Sequence, residues 1–150
     1  VGKAEIMDAA DDGSIGGTFV GNPVAAAGAL AVFDVIERER LPQRAEHIGS
    51  VLEGRLREMA EKYALIGDVR RLGAMVGAEL VRDRQTKEPA DEETAAILRE
   101  MEQRGVLGVK CGIYNNVLRF LNPLVISDGE IDEVLGVLDA SISAVQSTVV

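Results

Sequence analysis

Two stretches of this sequence combine residue types and spacings that could do chemistry. The first is Gly16-Gly17-Thr18-Phe19-Val20-Gly21-Asn22-Pro23. A glycine-rich turn running into a helix N-terminus offers backbone N–H groups and the positive end of the helix dipole, and Thr18 adds a hydroxyl donor, so the turn could hold a phosphate. It is not a P-loop, because the G-x-x-x-x-G-K-[ST] spacing is absent, and no clear strand precedes it as a dinucleotide fingerprint requires. The same residues also make an ordinary loop leading into a helix. The second stretch centres on Arg119, inside the apolar run Val117-Leu118-Arg119-Phe120-Leu121, with Asn115-Asn116 before it and Asn122-Pro123 after. A guanidinium is rarely buried without a partner, and its planar fork suits a bidentate carboxylate. An edge-strand arginine whose stem packs while its head reaches water fits these residues as well.

The remaining reactive side chains are sparse. His47 is the lone histidine and lies mid-helix between Glu46 and Ile48, so it reads as a helix-surface residue. It leaves no histidine cluster for a metal and no imidazole to spare for a Ser-His-Asp triad. Cys111 is the one cysteine, which excludes an internal disulfide and a cysteine metal cluster. Lys110 beside it could lower its pKa, but an unreactive small residue is the plainer reading. Asp11-Asp12 and Glu92-Glu93 fall in turns or first helical turns and do not read as an acid–base dyad.

These residues need elements to position them. Asp8 to Asn22 is rich in glycine, aspartate and serine and reads as loop. Asn22 is a good N-cap and Pro23 a good first helical residue, so a helix is predicted from Pro23. Its early turns are apolar nearly all round, which predicts a buried start, and charges appear only from Asp34. Pro42 marks a kink or a new helix start. Ala45, Ile48, Leu52, Leu56, Met59 and Tyr63 then recur at helical spacing, and Gly67-Asp68 is expected to punctuate. Val69 to Arg82 reads as two strand segments or one bent strand around Gly73, followed by a polar turn from Asp83 to Pro89. Asp91 is expected to cap a helix running to Arg104 with Ile97, Leu98 and Met101 inward, and Gly105 to close it. Val106 to Val109 is expected as a short strand, Lys110 to Gly112 as a turn and Val117 to Leu121 as another strand. Ser127 and Glu130 form a capping box for a last helix carrying Ile131, Val134, Leu135, Leu138, Ile142 and Val145. The final residues are expected to fray. The resulting order predicts an α+β fold, a small sheet covered by helices on one face.

The chain has 150 residues, 47% hydrophobic and 27% charged, which suits one globular domain and excludes a disordered or collagen-like chain. A net charge of −9 makes nucleic acid and anionic membrane poor partners. There is no apolar run long enough for a membrane span and no signal peptide, which reads as cytoplasmic. The chain begins Val1-Gly2-Lys3 without an initiator methionine, so a piece of a longer protein is expected.

Taken together, GGTFVGNPVAAAGAL, IGDVRRLGAMVGAELV and CGIYNNVLRFLNPLVI resemble, in that order, the C-terminal part of class-III pyridoxal-phosphate aminotransferases. The leading VGKAEIMDA is similar to the same family just upstream, so the resemblance covers essentially the whole chain. The GGT-x-x-GNP block marks the class, and the CG-x-Y-x-NVLR-x-L-x-PL block is nearer the 4-aminobutyrate branch. The resemblance implies a fold-type-I enzyme in which residues 1–22 end the large domain with a phosphate-binding turn. Residues 23–150 would then form the C-terminal small domain, with a mainly antiparallel sheet.

It further implies that Gly17 and Thr18 meet the phosphate of pyridoxal phosphate held by the neighbouring subunit of a homodimer, and that Arg119 binds the substrate carboxylate. The whole enzyme would move the amino group of 4-aminobutyrate to 2-oxoglutarate, giving succinate semialdehyde and glutamate. Acetylornithine, ornithine or 5-aminovalerate are alternative donors, and a non-catalytic α+β interaction module is the reading outside catalysis. The family's Schiff-base lysine precedes the GGT block by a few tens of residues, and the setting of Lys3 does not match it. The 150 residues alone are therefore expected to be inactive. Their Ala25–Val32 surface is expected to drive self-association once uncovered. One departure from the family pattern is Arg71, which stands where a glycine is usual and puts the local turn in question.

Overall fold

The computed structural model describes residues 2–11, 13–14 and 16–148. Asp12 of the Asp11-Asp12 pair and the last two residues, expected to fray, lie outside that set. The chain divides after Arg40 into two compact units.

The first unit holds a single helical turn, α1 (Ala4–Met7), and the long helix α2 (Pro23–Arg38). As the sequence predicts, Asn22 caps α2: its Oδ1 accepts from the N–H of Val24 at 3.0 Å and of Ala25 at 3.1 Å, and Pro23 stands at the start. Arg40, with φ 52°, ends the run in the left-handed region. The expected burial of the α2 start does not occur, since no residue of α2 is buried and Val24, Leu30, Val32 and Phe33 are all exposed. An apolar surface on a helix calls for a cover, but it does not say which chain supplies it.

The second unit is α+β. Helix α3 (Leu41–Lys62) starts one residue before Pro42 and buries Ile48, Leu52, Leu56 and Met59. Strands β1 (Ile66–Leu72) and β2 (Met75–Leu80) follow, then α4 (Asp91–Gln103), β3 (Val109–Cys111), β4 (Val117–Phe120) and α5 (Asp128–Thr148). The four strands form one antiparallel sheet in the order β1-β2-β4-β3. Alternation along each strand sends Val69, Val76, Ala78, Leu80 and Leu118 into a core shared with α3, α4 and α5. Each such large aliphatic side chain contributes about 1.5–3 kcal/mol when fully buried.

Local chemistry fixes the ends of these elements. Gly73, with φ 54°, turns the β1–β2 hairpin at a conformation that strains any side chain. Gly105, φ 85°, closes α4: its N–H donates to Glu102 O and that of Val106 to Met101 O, while Val106 packs on the core. The Ser127–Glu130 box caps α5 in both directions, Ser127 N–H to Glu130 Oε2 at 2.7 Å and Glu130 N–H to Ser127 Oγ at 3.2 Å. Arg84, from the polar turn, donates to the carbonyls of Ala60, Tyr63 and Ala64 at the end of α3.

Three boundaries differ from the sequence reading. Gly67-Asp68 does not interrupt the chain but lies inside β1, at a bulge between Ile66 and Asp68, where a Cβ on Gly67 would strike Val81. Ala90, not Asp91, is the N-cap of α4, and Asp91, Glu92 and Glu93 fill its first turn. The strand expected at Val106–Val109 starts only at Val109. The α4 closing bonds hold Val106 off the sheet, and the turn falls later, between Gly112 (φ 87°) and Asn115 (φ 54°).

Helix α3 lies so close to the hairpin that a Cβ on Gly49 would collide with the Gly73 carbonyl oxygen. Gly49→Ala is therefore expected to destabilise the protein by about 2 kcal/mol in urea unfolding. Gly54→Ala, on the same helix with nothing within 4 Å, is expected to stabilise it by about 0.5–1 kcal/mol.

Candidate functional site

In the first unit, Thr18 lies in a pair of tight turns closed by Val20 N–H to Gly17 O at 3.1 Å and Asn22 N–H to Phe19 O at 3.2 Å. Gly21, φ 79°, supplies the left-handed residue that brings the chain to the cap. The Asn22 side chain occupies the Val24 and Ala25 donors, so the helix end is not the open anion site that the glycine pattern suggested. The free donors sit one turn earlier. Neither the Thr18 hydroxyl nor the N–H groups of Gly17 and Thr18 have a hydrogen-bond partner among the described residues.

In the second unit, Arg119 is exposed on β4. Its cross-strand neighbours are Gly77 on β2 and Val109 on β3, all on the sheet face opposite the core. No hydrogen bond or ion pair joins its guanidinium to any described residue. Gly77 adds no side chain beside it, and a Cβ there would meet Val117 Cγ1 at 3.4 Å. The same face carries Arg70, whose Nη1 bridges Asp68 Oδ2 and Glu79 Oε2, each at 2.8 Å. Asp68 and Glu79 hold the Arg70 guanidinium more firmly charged than usual. A cleft of about 630 Å³ borders this end of the sheet, lined by Leu98 and Met101 of α4, Val106, Arg119 and Phe120, and Ile131 and Val134 of α5.

Lys3 and His47 fall away from this face, whereas Cys111, opposite Val117 and two residues from Val109, lies on it. Lys3 is exposed, and its carbonyl starts α1. His47 Nε2 lies 3.2 Å from Asp128 Oδ2, a carboxylate that Arg44 and His47 together hold below the usual range. Cys111 is free and half-buried in β3. Among the described residues, no group of three or more His, Cys, Asp or Glu is placed to hold a metal ion, and no helix is long and apolar enough to cross a membrane. Arg71 does not disturb the turn. It lies within β1, two residues before Gly73, and its side chain reaches α3, pairing with Glu53 at 2.6 Å and Glu46 at 2.7 Å.

Comparison with known proteins places this geometry. The family pattern described as Aminotransferase class-III matches residues 1–142. This chain belongs to the class-III aminotransferases. It is 46% identical over 144 residues to a probable 4-aminobutyrate aminotransferase of Bacillus subtilis, covering 96% of this chain and 33% of that protein. It is 44% identical over 137 residues to a 5-aminovalerate aminotransferase of Pseudomonas aeruginosa, covering 91% of this chain and 32% of that one. An amine transaminase from an uncultivated Pseudomonas species, solved in its PLP-bound form, superposes with a TM-score of 0.71 at 32% identity over 88% of this chain and 29% of its own. The chain thus spans about a third of the length of these aminotransferases.

Class-III aminotransferases are pyridoxal-phosphate enzymes, and the donor set in the first unit suits a phosphate. Thr18 brings a hydroxyl and, with Gly17, two N–H groups without partners among the described residues, and Gly17 is tight, since a Cβ there would meet Val20 at 3.2 Å. The residues that sequence reasoning missed are Arg70, Asp68 and Glu79. Their signal was the strand alternation, which sets them on the same face as Arg119.

Arg57 and Arg71 hold the Glu53 carboxyl below the usual range, so the folded state binds fewer protons there than the unfolded chain. That contribution is complete above the ordinary carboxylate range and is lost as pH falls through the lowered value. Arg71→Leu is expected to lower the urea midpoint at pH 7, with the deficit closing as pH falls through the lowered Glu53 value.

Proposed function

We propose that this chain is the C-terminal third of an aminotransferase that moves the amino group of 4-aminobutyrate to 2-oxoglutarate. In this reading residues 1–22 complete the large domain and residues 23–150 form the small one. The observation that carries it is Arg119, a guanidinium with no partner among the described residues, on an open sheet face beside Gly77, in a chain of this family. Its fork takes the substrate carboxylate in a bidentate grip and so fixes which end of the substrate points at the chemistry.

Thr18 donates its hydroxyl to the phosphate of the cofactor in the neighbouring subunit of a homodimer, with Gly17 allowing the backbone to approach. Pyridoxal phosphate, when bound, supplies the electron sink for the reacting carbon. The lysine that bonds it is supplied from outside these 150 residues, so they are inactive alone. The 5-aminovalerate reading is the second one, favoured by the 44% identity to the P. aeruginosa enzyme. A donor one methylene longer presents the same carboxylate to Arg119.

In the full-length enzyme, Arg119→Gln is expected to raise KM for 4-aminobutyrate by roughly tenfold or more, the loss of a charge-assisted hydrogen bond. Thr18→Ala is expected to weaken cofactor retention by about tenfold on dialysis. The isolated chain mixed with pyridoxal phosphate and borohydride is expected to show no trapped adduct by mass spectrometry. An adduct on Lys3 would overturn that part of the reading.

A further inference from the structure

Asn22 is the joint between the Thr18 turns and α2. Its backbone N–H donates to Phe19 O at 3.2 Å and closes the second turn, and its carbonyl accepts Ala26 N–H at 3.0 Å in the helix. Its Oδ1 takes the N–H groups of Val24 and Ala25 at 3.0 and 3.1 Å. The first turn, Val20 N–H to Gly17 O at 3.1 Å, shares Phe19 and Val20 with the second. A hydrogen-bonded path therefore runs unbroken from Gly17 to the helix, and Thr18 lies on it. Each turn keeps its end Cα atoms within about 7 Å, so Thr18 and Asn22 lie within about 11 Å of each other. The helix donors that Asn22 reaches are spent, and those of Gly17 and Thr18 have no partner among the described residues.

We infer that Asn22 is a positioning residue for the cofactor phosphate: it locks the Thr18 turns to α2, and does so with a side chain that brings no charge. This inference rests on the reading of Thr18 as a phosphate donor. A helix cap alone would not select asparagine over aspartate, because the two cap about equally well and the positive helix end favours the anion. Beside a phosphate the balance reverses. An aspartate would set a carboxylate within about 11 Å of a group carrying about −1.5 to −2 of charge, in a site that on this reading the neighbouring subunit closes, where salt screens less than in open water. A positioning role and a purely structural one thus part at the aspartate. The first forecasts a loss specific to the phosphate, the second none.

The test strips the full-length enzyme of cofactor and titrates it with pyridoxal phosphate and, separately, with pyridoxal, which lacks the phosphate. Binding is read by absorbance, and folding by the thermal midpoint of the stripped enzyme. Asn22→Asp is expected to weaken pyridoxal phosphate roughly fivefold, while pyridoxal stays within about twofold and the midpoint within about 2 °C. Asn22→Ser, a neutral cap, is expected to hold both affinities within about twofold of the parent. Asn22→Ala, which unlocks the turns, is expected to weaken pyridoxal phosphate about fivefold, with pyridoxal again within about twofold. Equal losses of the two ligands, an unchanged affinity for pyridoxal phosphate in Asn22→Asp, or a loss in Asn22→Ser as large as in Asn22→Asp would each overturn the inference. Thr18→Ala serves as the reference. If it leaves the preference for pyridoxal phosphate over pyridoxal unchanged, the reading of Thr18 fails; if it lowers that preference while Asn22→Asp does not, only the role of Asn22 fails.

Discussion

The register between β2 and β4 is the constraint on which the second unit's chemistry depends. The helices close one face of the sheet, so every residue of β4 is committed either to the core or to the open side. Leu118 and Phe120 go inward and Arg119 goes out, opposite Gly77. A slip of one residue would bury the guanidinium among Ala78, Leu80 and the α3 side chains, at a cost no partner there could offset. The apolar neighbours of Arg119 in sequence therefore protect it. They are what makes the register costly to lose.

A second constraint keeps that face in order from behind. Helix α3 approaches the hairpin at Gly49 until backbone meets backbone at Gly73, a contact that tolerates no side chain. Arg71, on the inward side of β1, ties the same helix to the same strand through Glu46 and Glu53, and Arg57 joins them by donating to Glu53 and to the Val69 carbonyl. Adjacent residues of one strand thus serve opposite faces, with Arg71 joining strand to helix and Arg70 bridging acids on the open side. Where the family pattern has glycine, a strand conformation accepts arginine without strain, because the left-handed residue is Gly73 and not position 71.

Much of this was legible in the sequence, for local reasons. Asn22-Pro23, Gly105 and Ser127-x-x-Glu130 announce helix ends by capping chemistry that acts within four residues, and each is where the pattern puts it. The helical spacing of Ile48 to Met59 reports its buried face directly. What escaped was set by distant partners. Gly67 looks like punctuation, but its lack of a side chain answers to Val81. Val106 looks like a strand residue, but the closing bonds of α4 claim it. Asp68 and Glu79 are eleven positions apart and meet only through the hairpin register. The free donors at Thr18 were legible by type. That Asn22 takes the helix-end N–H groups follows from its reading as the cap; that the Gly17 and Thr18 donors stay without partners among the described residues was visible only in three dimensions.

The net charge of −9 is no obstacle to an anionic substrate at Arg119, and the reason is local. Charges separated by more than about 8 Å are largely screened at physiological ionic strength, so the total matters less than the nearest carboxylates. On this face Asp68 and Glu79 are both engaged by Arg70. An acidic chain can thus present one cation to a carboxylate if its neighbouring acids are satisfied first. The choice of arginine follows from the same situation: on an exposed strand a lysine would be a hydrated point charge, whereas a guanidinium fork imposes the direction from which a carboxylate must arrive.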